Sequence, residues 1–104
     1  EAFATEIGYV QAVLSETIKK LPKWSKKRRV SPALINFPSR DYLLAEPYGK
    51  VLIIAPWNYP FQLSMVPLIS AIAAGNTVVL KPSEYAPKTA LLVSKIVREN
   101  FDVK

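Results

Sequence analysis

The sequence predicts an α/β fold in which an amphipathic helix and a connecting arm lead into a strand–helix–strand–helix unit. Three observations carry this reading. Apolar residues recur every three to four positions from Ile7 to Leu21. Two short strand-like runs, the continuously apolar residues 51–55 and residues 77–80, bracket a longer apolar stretch. Gly75, Pro82 and Pro87 punctuate the joins between them, as turn and cap residues do.

In the first segment Ile7, Val10, Val13 or Leu14, Ile18 and Leu21 share a helix face, with Glu6, Gln11, Glu16, Lys19 and Lys20 between them. Acidic Glu1, Glu6 and Glu16 give way to lysines, the order that a helix macrodipole favours, and Pro22 is expected to end or bend the helix. Residues 23–40 carry Pro32 and Pro38 and little periodicity. They read as a long surface connection anchored by Leu34, Ile35 and Phe37. Residues 42–45 form a short strand candidate ended by Pro47 and Gly49.

The run at 51–55 is continuously apolar, the pattern of a parallel strand covered on both faces. Pro60 suits the first position of a helix, where its missing N–H has no partner to lose. Phe61, Leu63, Met65, Val66, Leu68, Ile69, Ile72 and Ala73 then make a nearly all-round apolar, buried helix that Gly75 ends. Pro67 lies inside it; a proline there costs about 3 kcal/mol in an ideal helix, so a kink or an opened turn is expected. Residues 77–80 form a second buried strand. Pro87 opens a last helix that turns Leu91, Leu92, Ile96, Val97 and Phe101 inward, behind a weak N-cap, Ala86. Such an alternation implies a right-handed βαβ unit of an open sheet, with ligands beyond the carboxyl ends of the strands, at residues 56–59 and 81–84. The chain divides into a helical segment (1–30), an arm with an edge strand (31–49) and a partial α/β domain (50–104).

Composition narrows the chemistry. Half of the residues are apolar, enough for a core without disulfides or metal. The chain has no Cys and no His, which excludes thiol nucleophiles, imidazole acid/base pairs and Cys/His zinc sites within these residues. Its net charge of +6 is concentrated in Lys19, Lys20, Lys23, Lys26, Lys27, Arg28 and Arg29. Pro56, Asn58, Pro60, Gln62, Pro67, Gly75 and Asn76 interrupt the apolar stretch from 51 to 80, so no membrane-spanning run of about 18 residues survives. A start at Glu1 without Met or a cleavable apolar region reads as an internal or trimmed start rather than a signal peptide.

Four motifs follow in order: Glu46-Pro47-Tyr48-Gly49, Ala55-Pro56-Trp57-Asn58-Tyr59-Pro60, Ala71-Ile72-Ala73-Ala74-Gly75-Asn76 and Val79-Leu80-Lys81-Pro82-Ser83-Glu84. Together they resemble the NAD(P)-dependent aldehyde dehydrogenase superfamily, over nearly the whole chain. Tyr59 after Asn58, the segment Asn36-Phe37-Pro38 and the pair Lys23-Trp24 look most like its class 3, fatty-aldehyde-dehydrogenase-like branch. The resemblance implies the N-terminal portion of an enzyme that oxidises aldehydes to carboxylic acids, with residues 50–104 as the first part of a Rossmann-like cofactor-binding domain. It implies NAD or NADP as cofactor, and a Cys nucleophile and Glu general base whose motifs do not occur here. These residues alone are therefore expected to be inactive, since none can hold the aldehyde as a thiohemiacetal. The only glycines are Gly8, Gly49 and Gly75, so the common glycine-rich dinucleotide fingerprint is missing, as it is in the family.

Each candidate residue has a plainer reading beside the functional one. Attack on an aldehyde builds negative charge on the carbonyl oxygen, and a neutral amide in a dry site stabilises that charge without titrating. Asn58 has that role by resemblance; its alternative is a cap on the helix at Pro60. Lys81 and Glu84, just past the second strand, stand where a dinucleotide fold reads adenosine ribose hydroxyls, with Ser83 assisting. The alternative is a surface ion pair. A carboxylate there repels a 2′-phosphate, which favours NAD over NADP unless Lys81 offsets it. Ala55, Pro56 and Trp57 resemble the stretch that lies along the cofactor, or else reflect packing. Tyr59 and Met65 are candidates for an aldehyde passage, against a core role, and Trp24 is read as packing. The basic cluster supports a different class of function, a nucleic-acid- or membrane-surface-binding module, against a solvated helix end. The family reading carries further expectations: an aldehyde substrate, no nucleic-acid partner, a homodimer when complete, and a cytoplasmic location with membrane attachment through a C-terminal tail left open.

Overall fold

In the computed structural model, which describes residues 3–102, the apolar spacing of the first segment produces α1 (Gly8–Trp24), entered through a π-helical turn at Phe3–Ile7. Glu1 lies outside the described residues. Val10 and Thr17 are buried on α1 while Leu14 and Ile18 are exposed, so the covered stripe is narrower than the periodicity suggests. Pro22 does not end the helix. It sits in the last turn, where it forfeits one hydrogen bond, and the Ser25 N–H still closes on the Leu21 carbonyl at 2.9 Å.

The arm is more ordered than its sequence predicts. Just before it, at the end of the segment read as helical, β1 (Arg28–Val30) pairs antiparallel with β2 (Asp41–Leu43) of the arm, Arg28 opposite Leu43 and Val30 opposite Asp41. The surface connection expected over residues 23–40 is therefore one limb of a β-ribbon, closed by a 3₁₀ turn at Leu34–Asn36 and a cis Phe37–Pro38 bond. Leu34, Ile35 and Phe37 do not anchor it: they are 95%, 91% and 78% exposed. They stand in solvent around the 3₁₀ turn at the far end of the ribbon. The ribbon accounts for the elongated shape, 59 × 30 × 23 Å, with a radius of gyration of 17.9 Å against about 13 Å for a compact domain of this length.

The second half is the expected βαβα unit: β3 (Lys50–Ile54), α2 (Gln62–Ala73), β4 (Thr77–Lys81) and α3 (Pro87–Asn100). β3 and β4 are parallel neighbours, registered from Lys50 opposite Thr77 to Ile54 opposite Lys81. The turn between α2 and β4 shows how local sequence fixes this. Gly75, at φ +84°, donates to the Ile72 carbonyl at 2.9 Å while the Asn76 N–H donates to that of Ala71 at 3.0 Å, the paired bonds of a Schellman motif. The Asn76 side-chain oxygen then accepts the Gly49 N–H at 2.9 Å, which ties the entry of β3 to the entry of β4.

The sheet is covered on one face, not on both. Ile53 and Ala55 are buried and Val78 and Leu80 half-buried, whereas Leu52, Ile54 and Val79 are exposed. The cause is topological. α2 packs on β3 and β4, and Val93 of α3 shares a cavity with Leu68, Val78 and Leu80, so both helices lie on the same side. α2 is wedged between α1 and the sheet, with Ser64 and Leu68 buried and most of its other apolar residues half-buried. It runs unbroken through Pro67, which is exposed and costs only the bond its N–H would have made to the Leu63 carbonyl. Pro60 falls in a turn ahead of α2 rather than at its first position. On α3 the inward residue is Val93, fully buried, with Ile96 and Val97 half-buried. Leu91, Leu92 and Phe101 are exposed, contrary to expectation, because among the described residues no second layer lies on that side. Pro87 opens α3 as expected, and Ala86 supplies no side-chain cap.

Candidate active site at the carboxyl ends of β3 and β4

The two loops that follow the parallel strands leave the sheet side by side. Ile54 stands opposite Lys81, and the Ala55 N–H donates to the Lys81 carbonyl at 3.0 Å, the last rung before both chains turn away. Ala55 is 4% exposed, so its methyl belongs to the core and only its backbone borders the loop. Pro56, Trp57, Asn58 and Tyr59 then emerge, all exposed.

Asn58 does not cap the helix. The first amides of α2 are taken by a distant acceptor, the Glu6 carboxylate, which accepts the Phe61 and Gln62 N–H groups at 2.8 and 3.1 Å. Among the described residues the Asn58 carboxamide has no hydrogen-bond partner. Tyr59, next to it, holds φ +46°, a left-handed conformation that costs a bulky residue about 1–3 kcal/mol and needs support from its surroundings. The Leu63 N–H supplies some, donating to the Tyr59 carbonyl at 2.9 Å, and the Ser64 hydroxyl adds a bond to the Pro60 carbonyl at 2.6 Å. Ser64 is almost wholly buried, so this bond is shielded from water. Met65, half-buried, lies in the first turn of α2.

On the second loop the Lys81 Nζ donates to the Glu84 carboxylate at 2.8 Å. Lys81's hydrogen bond, then Glu84's own backbone N–H and the Lys81 charge, hold the Glu84 carboxyl below its ordinary range. Both side chains are more than half exposed, so solvent screens the pair and leaves it able to exchange partners. Ser83 differs: it is buried, and its hydroxyl accepts the Tyr85 N–H at 3.3 Å, which shapes the turn. Between the loops, Trp57 and Tyr85 line an open cleft of about 360 Å³. Tyr85 escaped the sequence reading. Its signal was an aromatic directly after Glu84, on the loop that faces Trp57.

The basic residues do not gather on one element. Lys19, Lys20 and Lys23 lie on α1, Lys26 and Lys27 in the following turn, and Arg28 and Arg29 on β1; Lys20 pairs with Glu16. Trp24, half exposed, lines a cavity of about 520 Å³ with Val13, Thr17 and Leu21 of α1 and Ala73 of α2. Among the described residues no group of three or more His, Cys, Asp or Glu could hold a metal ion. No described helix is long and apolar enough to cross a membrane.

Comparison with known proteins bears on this arrangement. The model of the aldehyde dehydrogenase family matches residues 1–103. The chain is 50% identical to the 4,4'-diaponeurosporen-aldehyde dehydrogenase of Staphylococcus aureus, over 98% of this chain and 22% of that protein. It is 45% identical to aldehyde dehydrogenase family 3 member I1, chloroplastic, of Arabidopsis thaliana, over 98% of this chain and 18% of that protein. Among solved structures, the substrate-bound state of Staphylococcus aureus AldH superposes with a TM-score of 0.93 at 50% identity, over 97% of this chain and 22% of that one. The chain thus spans about a fifth of the length of these relatives, class 3 members among them. The incomplete sheet, with its bare apolar face, fits that proportion. This chain belongs to the aldehyde dehydrogenase family, a family of oxidoreductases.

Proposed function

We propose that these residues supply the oxyanion-stabilising amide and the adenosine-side part of the cofactor site of an enzyme that oxidises aldehydes to carboxylic acids with NAD or NADP. The observation that carries the reading is the Asn58 carboxamide, exposed and uncommitted at the carboxyl end of a parallel strand. A neutral amide fixed there donates to a carbonyl oxygen as charge develops on it and needs no proton transfer to do so. Left-handed Tyr59 and the bonds around Pro60 fix the backbone that carries it.

The residues on the second loop fit a dinucleotide. Glu84 offers a carboxylate, held below its ordinary range by the Lys81 hydrogen bond, to a pair of ribose hydroxyls, and Lys81 supplies a cation beside it. Trp57 and Tyr85 give the cleft between the loops apolar walls. Lys81, Ser83 and Glu84 would hold the adenosine side of a dinucleotide, whose chemistry would be to supply the hydride acceptor, and the protein's part would be to hold and orient it. Glu84 favours a free 2′-hydroxyl and hence NAD, and Lys81 tempers that preference toward NADP. Tyr59 and Met65 are assigned to the aldehyde passage in this reading; Ser83 acts through the turn it shapes. The thiol nucleophile and general base lie outside these residues, which accordingly do not turn over aldehyde by themselves.

Replacement of Asn58 by Ala in the complete enzyme tests the assignment. Loss of one such donor is expected to lower kcat by about 10²–10³, close to 3 kcal/mol of transition-state stabilisation, with KM for aldehyde little changed. A kcat within threefold of the parent would remove Asn58 from the chemistry.

A further inference from the structure

The Glu6 carboxylate reaches the Asn58 loop from the π-helical turn ahead of α1, 55 residues away along the chain from Phe61. Its partners are the Phe61 and Gln62 N–H groups, at 2.8 and 3.1 Å. Amides at the start of a helix have no carbonyl one turn back and take an acceptor from a nearby side chain when one is available. An Asn that precedes a helix commonly accepts the N–H three residues on. Asn58 stands three residues before Phe61 and is therefore the local competitor for that amide. In the structure the acceptor is Glu6: its half-buried carboxylate bridges both N–H groups, as a charge-assisted acceptor can, and among the described residues the Asn58 amide has no partner.

We propose that Glu6 is a positioning residue for catalysis: it occupies the Phe61 and Gln62 amides, so that the Asn58 Oδ1 is not drawn onto them and its Nδ2 donor keeps its orientation toward substrate. The inference rests on the oxyanion role assigned to Asn58. It gives the N-terminal segment a part in the chemistry beyond packing α1 against α2. Without Glu6 the amide of Phe61 draws in the Asn58 side chain, and left-handed Tyr59 loses a fixed point two residues downstream.

A double-mutant cycle in the complete enzyme tests it. Glu6→Ala is expected to lower kcat by about tenfold or more with KM for aldehyde within twofold, the mark of a misplaced group rather than a lost binding contact. Glu6→Gln, which retains an acceptor oxygen but loses the charge, should recover part of that loss. In an Asn58→Ala background Glu6→Ala should cost nothing further, because the residue it positions is gone. A multiplicative loss in the double variant, a Glu6→Ala enzyme with parental kcat, or no recovery in Glu6→Gln would overturn the proposal. If Asn58→Ala alone leaves kcat unchanged, the oxyanion assignment fails instead. Where Glu6→Ala does not accumulate as folded enzyme, amide exchange decides. The Phe61 and Gln62 amides should be protected at least tenfold in the parent and more weakly in Glu6→Gln; unprotected amides in the parent would also overturn it.

Discussion

The βαβα unit and the arm draw on the same apolar residue types and dispose of them in opposite ways. In the unit, Ile53, Ala55, Leu68 and Val93 converge on one buried layer because strand alternation and helical periodicity aim at the same space. In the arm, Leu34, Ile35 and Phe37 stand almost fully in solvent, and Tyr48 is 96% exposed. The difference teaches that apolar composition buys no burial by itself; a second layer has to meet it. The bare sheet face makes the same point within the unit. Leu52, Ile54 and Val79 alternate correctly, yet they are exposed because both helices cross on the other side.

Mutations sharpen this contrast. Val93→Ala removes two methyl-sized groups from a fully buried site and should lower stability by about 2 kcal/mol in urea unfolding, through lost transfer energy and the cavity left behind. A loss below about 0.5 kcal/mol would mean that α3 is not docked as described. Leu34→Ser, at the tip of the ribbon, should change the same midpoint by less than about 0.5 kcal/mol, since nothing covers the side chain. A loss comparable with that of Val93→Ala would show the arm packed against something.

The smallest expected effect concerns the site. Lys81 and then the Glu84 backbone N–H hold the Glu84 carboxyl below its ordinary value of 4.5, so its NMR titration midpoint should lie under that value and rise toward it in Lys81→Met. The sign follows from linkage. With the folded pKa depressed, the pair's contribution is present above the ordinary carboxylate range and is lost as pH falls through the lowered folded value. An unshifted midpoint would contradict the Lys81–Glu84 geometry.

Much of the fold was legible because its signals are local. Gly75 with Asn76 marks the end of α2, Pro87 marks the start of α3, and the apolar runs around Ile53 and Val79 mark the parallel strands. β1 was not legible: a three-residue strand containing Arg28 and Arg29 has no apolar alternation, and it exists only through its pairing with β2. Inward faces were misjudged on α3 because periodicity finds an apolar face without saying which neighbour covers it. At the site, motif resemblance singled out Asn58, Lys81 and Glu84. Sequence could not show the left-handed Tyr59, which no rule assigns to a tyrosine, or the reach of Glu6 to Phe61 across 55 residues. Both are products of tertiary structure, and both shape the loop that carries Asn58.

If the carboxyl ends of β3 and β4 form the cofactor side of an aldehyde-oxidising site, as proposed, NAD affinity in the complete enzyme depends on Glu84. Quenching of tryptophan fluorescence would give Kd for the parent and for Glu84→Ala. A carboxylate that accepts ribose hydroxyls contributes about 1.5–3 kcal/mol, so the account predicts NAD binding weakened by at least about tenfold in the variant, with its unfolding midpoint unchanged. An unaltered Kd in a folded Glu84→Ala enzyme would contradict it and leave Lys81 and Glu84 a surface ion pair.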